Sequence, residues 1–302
     1  MINAYLKMKI YKSYIRYLPI LLCLTICFQQ KILSQGTDIS NKRGKNLYVG
    51  FSAGPSQTSI SNTVILPLSK LNSIKKNSFL GFLEIGYFFS DNIGLSTGIG
   101  FVSDKTQLTL DSYQSSYTTT DTDTPPESYE RRVTGSNIKE LQKVGFLSIP
   151  LCINLRLPIS DKSGFFLQTG VNIAVPLTKS YSSSGIFSFE GYYPAYKVLL
   201  TNLPAYGFPS NKSIVSSGNL ELKSIGFNFV ASGGFDFFIQ EKIQIAISAC
   251  YEKSLSNISD YSLPDKFQLS TDGTNINSIM GGSSKSTAQS IGLKISLRYY
   301  LK

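Results

Sequence analysis

Residues 288–301 read AQSIGLKISLRYYL, and their side chains alternate between apolar and polar along the stretch. One face carries Ile291, Leu293, Ile295, Leu297 and Tyr299, and the other carries Ser290, Gly292, Lys294, Ser296 and Arg298. A period of two residues is typical of a β-strand whose two faces meet different surroundings. The pattern therefore predicts a strand with one apolar and one polar face at the end of the chain.

Seven earlier segments repeat this alternation, and helical periodicity is nearly absent. Together they give eight predicted strands, at residues 47–55, 78–89, 92–102, 144–157, 165–175, 222–239, 242–251 and 288–301. The connections between them are long and short in turn. The long ones cover roughly 57–77, 103–143, 177–221 and 252–287, and the short ones are 90–91, 158–164 and 240–241.

An even strand count, strands of about ten residues and alternating short turns and long loops are features of a transmembrane β-barrel. We predict an all-β, eight-stranded antiparallel up-and-down barrel with four long extracellular loops and three short periplasmic turns. The polar face is rich in Gly, Ser and Asn, which fits the narrow lumen of eight strands. A soluble β-sandwich also alternates and stays open as the alternative, although it does not require the long and short rhythm.

The amino-acid composition excludes several classes of function. The 302 residues include no histidine, which excludes Ser-His-Asp and Cys-His catalysis and any metal site built on histidine. We expect no catalytic residues, no metal site and no cofactor. Basic residues outnumber acidic ones, 29 to 19, but no basic stripe with interleaved aromatics indicates nucleic acid.

The first 34 residues have the layout of a secretory signal peptide. A basic front precedes an apolar stretch of 11 residues, Leu18 to Phe28, which is too short for a membrane-spanning helix of about 20 residues. We therefore predict a cleaved signal peptide at 1–34, a periplasmic segment at 35–46 and the barrel at 47–302. Removing the leader leaves 24 basic and 19 acidic side chains, a net charge of +5.

Several charged side chains fall on the predicted lumen face: Glu84, Arg156, Asp236, Lys294 and Arg298. Charges inside a narrow barrel must be paired, because an isolated buried charge is costly. We expect a network of ion pairs that fills the lumen, and a proton or ion path is the functional alternative. Cys152 and Cys250 also face the lumen, on strands that are not neighbours, and are expected to be packing residues and not a disulfide.

Aromatic side chains concentrate in two regions. Near the short turns, on the outward face, a candidate aromatic girdle for one membrane interface consists of Tyr87, Phe89, Phe165, Phe237 and Tyr299. The third long loop carries a second set, consisting of Tyr181, Phe187, Phe189, Tyr192, Tyr193, Tyr196, Tyr206 and Phe208. These residues predict either a loop folded on itself or over the barrel mouth, or a contact surface for a partner or ligand. The second loop, 104–143, is rich in Thr, Ser and Asp and is expected to be mobile and solvated.

Three stretches carry a resemblance to known proteins: GYFFSDNIGL at 86–95, FLSIPL at 146–151 and GFFLQTG at 164–170. Gly233-Gly234-Phe235, Tyr251 with Leu255-Ser256-Asn257-Ile258, and the closing Arg298-Tyr299-Tyr300 complete it. Over 47–302, outside the long loops, the chain resembles outer-membrane β-barrels of Gram-negative bacteria and, within them, the PorT-like eight-stranded proteins. The resemblance implies contact with outer-membrane lipid, recognition of the last strand by the barrel assembly machinery, and a role in envelope assembly or protein secretion through other envelope proteins at the long loops.

From these observations we expect an integral outer-membrane protein without enzymatic activity that is structural or binds a partner. Two alternatives remain, a conduit for a small or apolar solute and a soluble secreted β-sandwich that acts as a binding module. A conduit needs an open lumen or a lateral gap in the wall. A lipid-modifying enzyme is a third hypothesis, but the sequence lacks the usual general base.

Overall fold

The computed structural model describes residues 47–64, 71–261 and 275–301. These ranges contain ten strands: β1 (Leu47–Val64), β2 (Leu71–Phe88), β3 (Ile93–Thr120), β4 (Ser128–Pro158), β5 (Ser163–Tyr193), β6 (Val198–Thr201), β7 (Lys212–Asn219), β8 (Gly226–Gln240), β9 (Ile243–Ser254) and β10 (Ser283–Tyr300). Two short 3-10 helices lie at Pro204–Tyr206 and Ile279–Gly282. No helix in these ranges is long and apolar enough to span a membrane. The predicted signal peptide and the segment 35–46 lie outside the described residues.

Eight of the strands close into a ring. The order is β4-β3-β2-β1-β10-β9-β8-β5, every pairing is antiparallel, and β4 pairs with β5 to complete the circle. The first and last strands are neighbours, in register from Tyr48 opposite Tyr300, so the two ends of the barrel chain meet. The predicted eight-stranded antiparallel barrel is confirmed. The remaining strands, β6 and β7, pair with the far part of β5, outside the ring.

One end of the barrel, here called the turn end, carries the three short connections. They cover residues 89–92, 159–162 and 241–242. The first is closed by the Ser90 hydroxyl, which accepts a hydrogen bond from the Ile93 N–H at 3.0 Å. The Leu301 N–H donates to the Leu47 carbonyl at 2.8 Å, which places both ends of the barrel chain here. The predicted short turns are therefore confirmed.

The opposite end, here called the hairpin end, differs from the prediction. Strands β3, β4 and β5 run for 28, 31 and 31 residues, so most of the predicted loop 104–143 is an antiparallel hairpin with a connection at 121–127. The expectation of a mobile, solvated second loop is wrong. The alternation continues through this stretch, and its inward residues are apolar ones such as Leu108, Leu110 and Ile138, which are buried. Outward Thr, Ser and Lys residues had given the segment the composition of a loop.

The surface of the turn-end half is an apolar belt. The belt consists of exposed, outward-facing side chains, among them Phe51, Leu83, Ile85, Leu95, Ile99, Phe101, Leu151, Ile153, Phe235, Ile247, Leu293, Ile295 and Leu297. It ends on β1 near Pro55, since the next outward side chain is the exposed Gln57. About nine to eleven strand residues cross it, which is the length that a tilted strand needs to span a bilayer.

The interior changes character along the barrel axis. Behind the belt it is polar, with buried Ser52, Ser96, Asn154, Gln168 and Ser296. Toward the hairpin end it becomes an apolar core, whose fully buried residues include Leu108, Leu110, Ile138, Phe187, Phe189 and Ile279. A second apolar cluster, around Ile60, Val144, Leu220, Leu222, Ile258 and Met280, lies beside it. The hairpin end is therefore packed like the core of a soluble domain.

Candidate functional site

The predicted lumen charges all lie inside the barrel, near the turn end. Arg156 on β4 reaches Asp236 on β8 with two donors: Nη2 lies 2.7 Å from Oδ1 and Nε lies 2.9 Å from Oδ2. The Arg156 and Asp236 side chains are 8% and 0% exposed. This two-point contact is the strong geometry for a guanidinium and a carboxylate.

A second ion pair lies beside the first. Arg298 on β10 has Nη2 3.6 Å from Oε1 of Glu84 on β2, and the Tyr48 hydroxyl donates a short hydrogen bond to the same carboxylate oxygen. The Arg298 guanidinium also lies over the Tyr48 and Phe166 rings, 5.1 Å from each centroid. Aromatic faces thus supply the negative potential that water would otherwise provide.

The fifth predicted residue, Lys294, is held by neutral partners. Its Nζ donates to Gln168 Oε1 at 3.1 Å, and the same oxygen accepts from Ser232 Oγ at 3.1 Å. Gln168 Nε2 in turn donates to Ser96 Oγ at 3.0 Å. The turn-end lumen therefore holds three cations and two anions, as two ion pairs and one lysine bound to a glutamine.

A cavity of about 70 Å³ lies above this network and is here called the lumen cavity. Its walls include Glu84, Lys294, Gln168, and both cysteines. Cys152 and Cys250 are free thiols, as predicted. They lie on β4 and β9, which are separated in the ring by β5 and β8.

The sequence analysis missed two acidic side chains farther from the turn end, Glu252 and Asp104, of which Glu252 lines the lumen cavity. Glu252 on β9 accepts from Asn172 Nδ2 at 2.8 Å and Asn228 Nδ2 at 2.6 Å. Asp104 on β3 accepts from Thr58 Oγ1 at 2.6 Å. A signal was present, because both residues continue the even-numbered lumen phase of their strands, but each was placed beyond its predicted strand.

The barrel wall is interrupted next to these acids. Pairing of β5 with β8 ends at Ala174 opposite Gly226, and β5 next pairs with β7 at Ser180 opposite Asn219. Pro176, which has no N–H to donate, lies in the gap. A second cavity, of about 30 Å³ and here called the side cavity, is lined by residues on both sides of the gap and by Asp104 and Glu252.

The predicted girdle residues face outward around the turn end. Tyr87, Phe89, Phe237 and Tyr299 are exposed, and Phe165 is half-buried against Phe235, with 5.7 Å between ring centroids. Their position at one edge of the belt is the position that aromatic side chains favour at a membrane interface. Their role as a girdle stays a prediction.

The loop aromatics divide into two groups. Phe187, Phe189 and Phe208 are at most 2% exposed and belong to the apolar core, which fits the alternative of a segment folded over the barrel mouth and not that of a contact surface. The reason is that β5 continues to Tyr193, and its inward phase fills the barrel end. Tyr196 and Tyr206 are exposed, at 60% and 73%, while Tyr181, Tyr192 and Tyr193 are half-buried.

A buried carboxylate at the hairpin end links three segments of the chain. Glu140 on β4 accepts four hydrogen bonds of 2.6–2.8 Å, from Gln142 Nε2, Ser183 Oγ, Ser278 Oγ and the Ile279 N–H. Burial raises the pKa of the Glu140 carboxyl, and these donors partly oppose the rise. The contact ties the 3-10 helix at 279–282 to β4 and β5.

A closed ring of eight strands, an apolar belt and a polar, charge-paired interior define an integral β-barrel membrane protein. The family model described as outer membrane protein beta-barrel domain matches residues 33–260. The chain belongs to this family, and its location is the outer membrane. The belt therefore contacts outer-membrane lipid.

Solved structures of similar form include Ail from Yersinia pestis (10% identity, TM-score 0.26, covering 84% of this chain and 99% of that chain). OprG from Pseudomonas aeruginosa is 12% identical, with a TM-score of 0.34, covering 85% and 97%. Neisserial surface protein A is 9% identical, with a TM-score of 0.32, covering 84% and 97%. These values are too low to support any conclusion about function. No curated protein matches the chain.

Proposed function

We propose that this protein is a non-enzymatic outer-membrane barrel that binds a protein partner through the tip of its hairpin end. The observation that carries the proposal is an exposed apolar surface there, here called the distal patch. It consists of Tyr196, Val198, Leu199, Leu203 and Tyr206, all exposed. Contiguous exposed apolar side chains commonly mark interaction sites.

The backbone of the distal patch supports the same proposal. Among the described residues, strand β6 pairs only with β5, so within this part of the chain its other edge is open to an added strand. Lys197 and Asn202, which flank β6, have positive φ angles of 54° and 53°. Such backbone is uncommon outside glycine and fixes the bends that present the patch.

The proposed lack of enzymatic activity is supported by how the lumen acids are used. Glu84 and Asp236 are each in contact with a cation, and Glu252 is held by two amides. Asp104 accepts a hydrogen bond from the Thr58 hydroxyl, so each of these four carboxylates already has a partner. The resemblance to PorT-like proteins supports a partner in envelope assembly or secretion.

Photo-crosslinking in intact cells tests the proposal. A photoreactive residue at 199 or 206 should give a discrete adduct, because these positions lie in the distal patch. The matched control is position 215, since Val215 on β7 is about as exposed as Tyr206 but lies outside the patch. Equal labelling at 199, 206 and 215, or no adduct at any of them, would refute partner binding through the patch. Heat-modifiable migration checks that each variant is folded.

A conduit for a small apolar solute is a second candidate, and the gap between β5 and β8 favours it. Leu177, Ile225 and Phe227, next to the gap, are exposed and apolar, so a solute could enter from the membrane. Gly226 lines the side cavity, and an added Cβ would have its nearest neighbour 3.7 Å away. Gly226→Phe should therefore block the cavity without distorting the wall.

Uptake by proteoliposomes tests this candidate. Gly226→Phe should abolish uptake of a small aromatic hydrocarbon that the native protein admits. Gly233→Phe is the control, because Gly233 lies on the outward phase of the same strand with its nearest neighbour 3.6 Å away. Equal uptake by the native protein, both variants and empty vesicles would exclude the conduit.

A further inference from the structure

A row of exposed donors crosses four strands just beyond the apolar belt. Pairing places Lys105 on β3 opposite Lys143 on β4, Lys143 opposite Ser180 on β5, and Ser180 opposite Asn219 on β7. All four side chains are exposed on the outward face. These four residues are here called the basic row.

The charge of the basic row is uncompensated within the described residues. The three ion pairs found there are Arg132–Glu130, Arg156–Asp236 and Arg298–Glu84, and none of them involves Lys105 or Lys143. Like charges directly opposite each other on neighbouring strands are destabilising. An anion lying between the two ammonium groups would remove that repulsion.

The nearest acids on these strands do not provide the anion. Asp104 and Glu140 lie on the inward phase of β3 and β4, where their carboxylates are hydrogen-bonded. Asp111 is exposed but lies six residues beyond Lys105. The hydroxyl of Ser180 and the amide of Asn219 add neutral donors to the row.

The distance of the basic row from the apolar belt places it close to the lipid headgroups. The last outward apolar row that all three of these strands share is Phe101, Leu147 and Val175, which are in register with one another. Lys105 lies four residues beyond Phe101, about 13 Å along the strand and about 10 Å along the axis of a barrel with tilted strands. The headgroup layer is about 5–7 Å thick on each side of the bilayer, and a lysine side chain can extend down to it.

We propose that the basic row binds the phosphate-bearing headgroup of an outer-membrane lipid, whose acyl chains pack on Phe101, Leu147 and Val175. The two ammonium groups hold the phosphate as point charges, while Ser180 and Asn219 donate to neighbouring oxygens. The apolar row below fixes the chains in the same register. This inference depends only on the membrane location and not on the proposed partner.

Retention of a labelled lipid tests the inference. The purified protein is incubated in detergent with a diphosphorylated glycolipid or its dephosphorylated form, and bound lipid is measured after the protein is separated from free lipid. With about one kcal/mol for each lysine near an anionic surface, Lys105→Gln with Lys143→Gln should weaken binding of the phosphorylated lipid about 30-fold. The double arginine variant should retain it, and the dephosphorylated lipid should bind the native protein as weakly as the double glutamine variant.

Lys253→Gln is the matched control. Lys253 is exposed and lies opposite Phe229 and Gln289, so it has no second lysine across the strand pair. It should change binding less than about twofold, because a single lysine gives only diffuse attraction. Equal losses in Lys253→Gln and the double variant would overturn the inference. Displacement of the lipid by millimolar inorganic phosphate would also overturn it, since the site would then select free phosphate and not a lipid.

Discussion

Removing the charge of Asp236 should destabilise the barrel strongly. Asp236→Asn keeps the shape of the side chain but leaves Arg156, which is 8% exposed, without its carboxylate. The turn-end lumen would then hold three cations, Arg156, Lys294 and Arg298, against the single anion Glu84, so its net charge would rise from +1 to +2.

The magnitude follows from burial. Breaking a buried ion pair by removing one partner costs about 3–5 kcal/mol, because the remaining charge is both desolvated and unpaired. An exposed pair provides the matched comparison. Arg132 and Glu130 are 2.8 Å apart but 41% and 33% exposed, so Glu130→Gln should cost far less stability, because solvent screens an exposed pair.

The assay is urea unfolding of the protein in phospholipid vesicles. The folded fraction is measured from the electrophoretic migration of unboiled samples, and the free energy of unfolding is extrapolated to zero urea. A third variant, Arg156→Met with Asp236→Leu, should recover most of the loss, since exchanging the whole pair for apolar residues leaves no unpaired charge. If Asp236→Asn loses no more stability than Glu130→Gln, then the lumen pair is solvated and the reasoning is refuted.

Three further predictions concern the wall and the hairpin end. Gly234→Ala should destabilise the barrel by about 1–3 kcal/mol, because the new Cβ would lie 2.0 Å from the Ile247 carbonyl oxygen. Gly233→Ala should be tolerated, and urea titration of the two variants checks the difference. Phe187→Ala should cost about 3–5 kcal/mol by opening a cavity in the apolar core. Tyr196→Ala, at an exposed position, should leave stability nearly unchanged in the same titration. Burial raises the Glu140 pKa, so between the pKa of the unfolded chain and that of the folded protein the folded state holds a proton that the unfolded chain has released. The stability of the hairpin end should therefore fall as the pH rises between these two pKa values. Hydrogen exchange of residues 276–282 should show this dependence in the native protein and lose it in Glu140→Gln.

The turn-end half could be predicted from the sequence because its two faces meet opposite surroundings. On β10, Ile295 faces lipid while Ser296 faces the lumen, so the alternation of apolar and polar side chains follows the two-residue period of the strand. The alternation also predicted that Glu84, Arg156 and Asp236 lie close together, because the lumen of an eight-stranded barrel is narrow. Their partners depend on strand register, which alternation alone does not give.

The hairpin end could not be predicted in the same way because its faces reverse their chemistry. Beyond the belt, the outward side is hydrated and the inward side is dry, so Lys139 faces out and Ile138 faces in. Alternation persists, but its apolar phase moves to the other face, and a strand pattern with Thr and Ser resembles a loop. Glu140 follows the inward phase, and its four donors come from segments that are distant in sequence.

This reversal also bears on transport. At the turn end the lumen is filled by two ion pairs and a glutamine network, and at the hairpin end by a core with fully buried Phe187 and Phe189. An axial path would have to separate buried charges at one end and open an apolar core at the other, each at a cost of several kcal/mol. Entry through the side of the barrel would bypass both regions, because the pairing of β5 is interrupted between Ala174 and Lys179, whose carbonyl accepts from the Leu220 N–H. The structure therefore favours lateral over axial movement for any solute that enters this barrel.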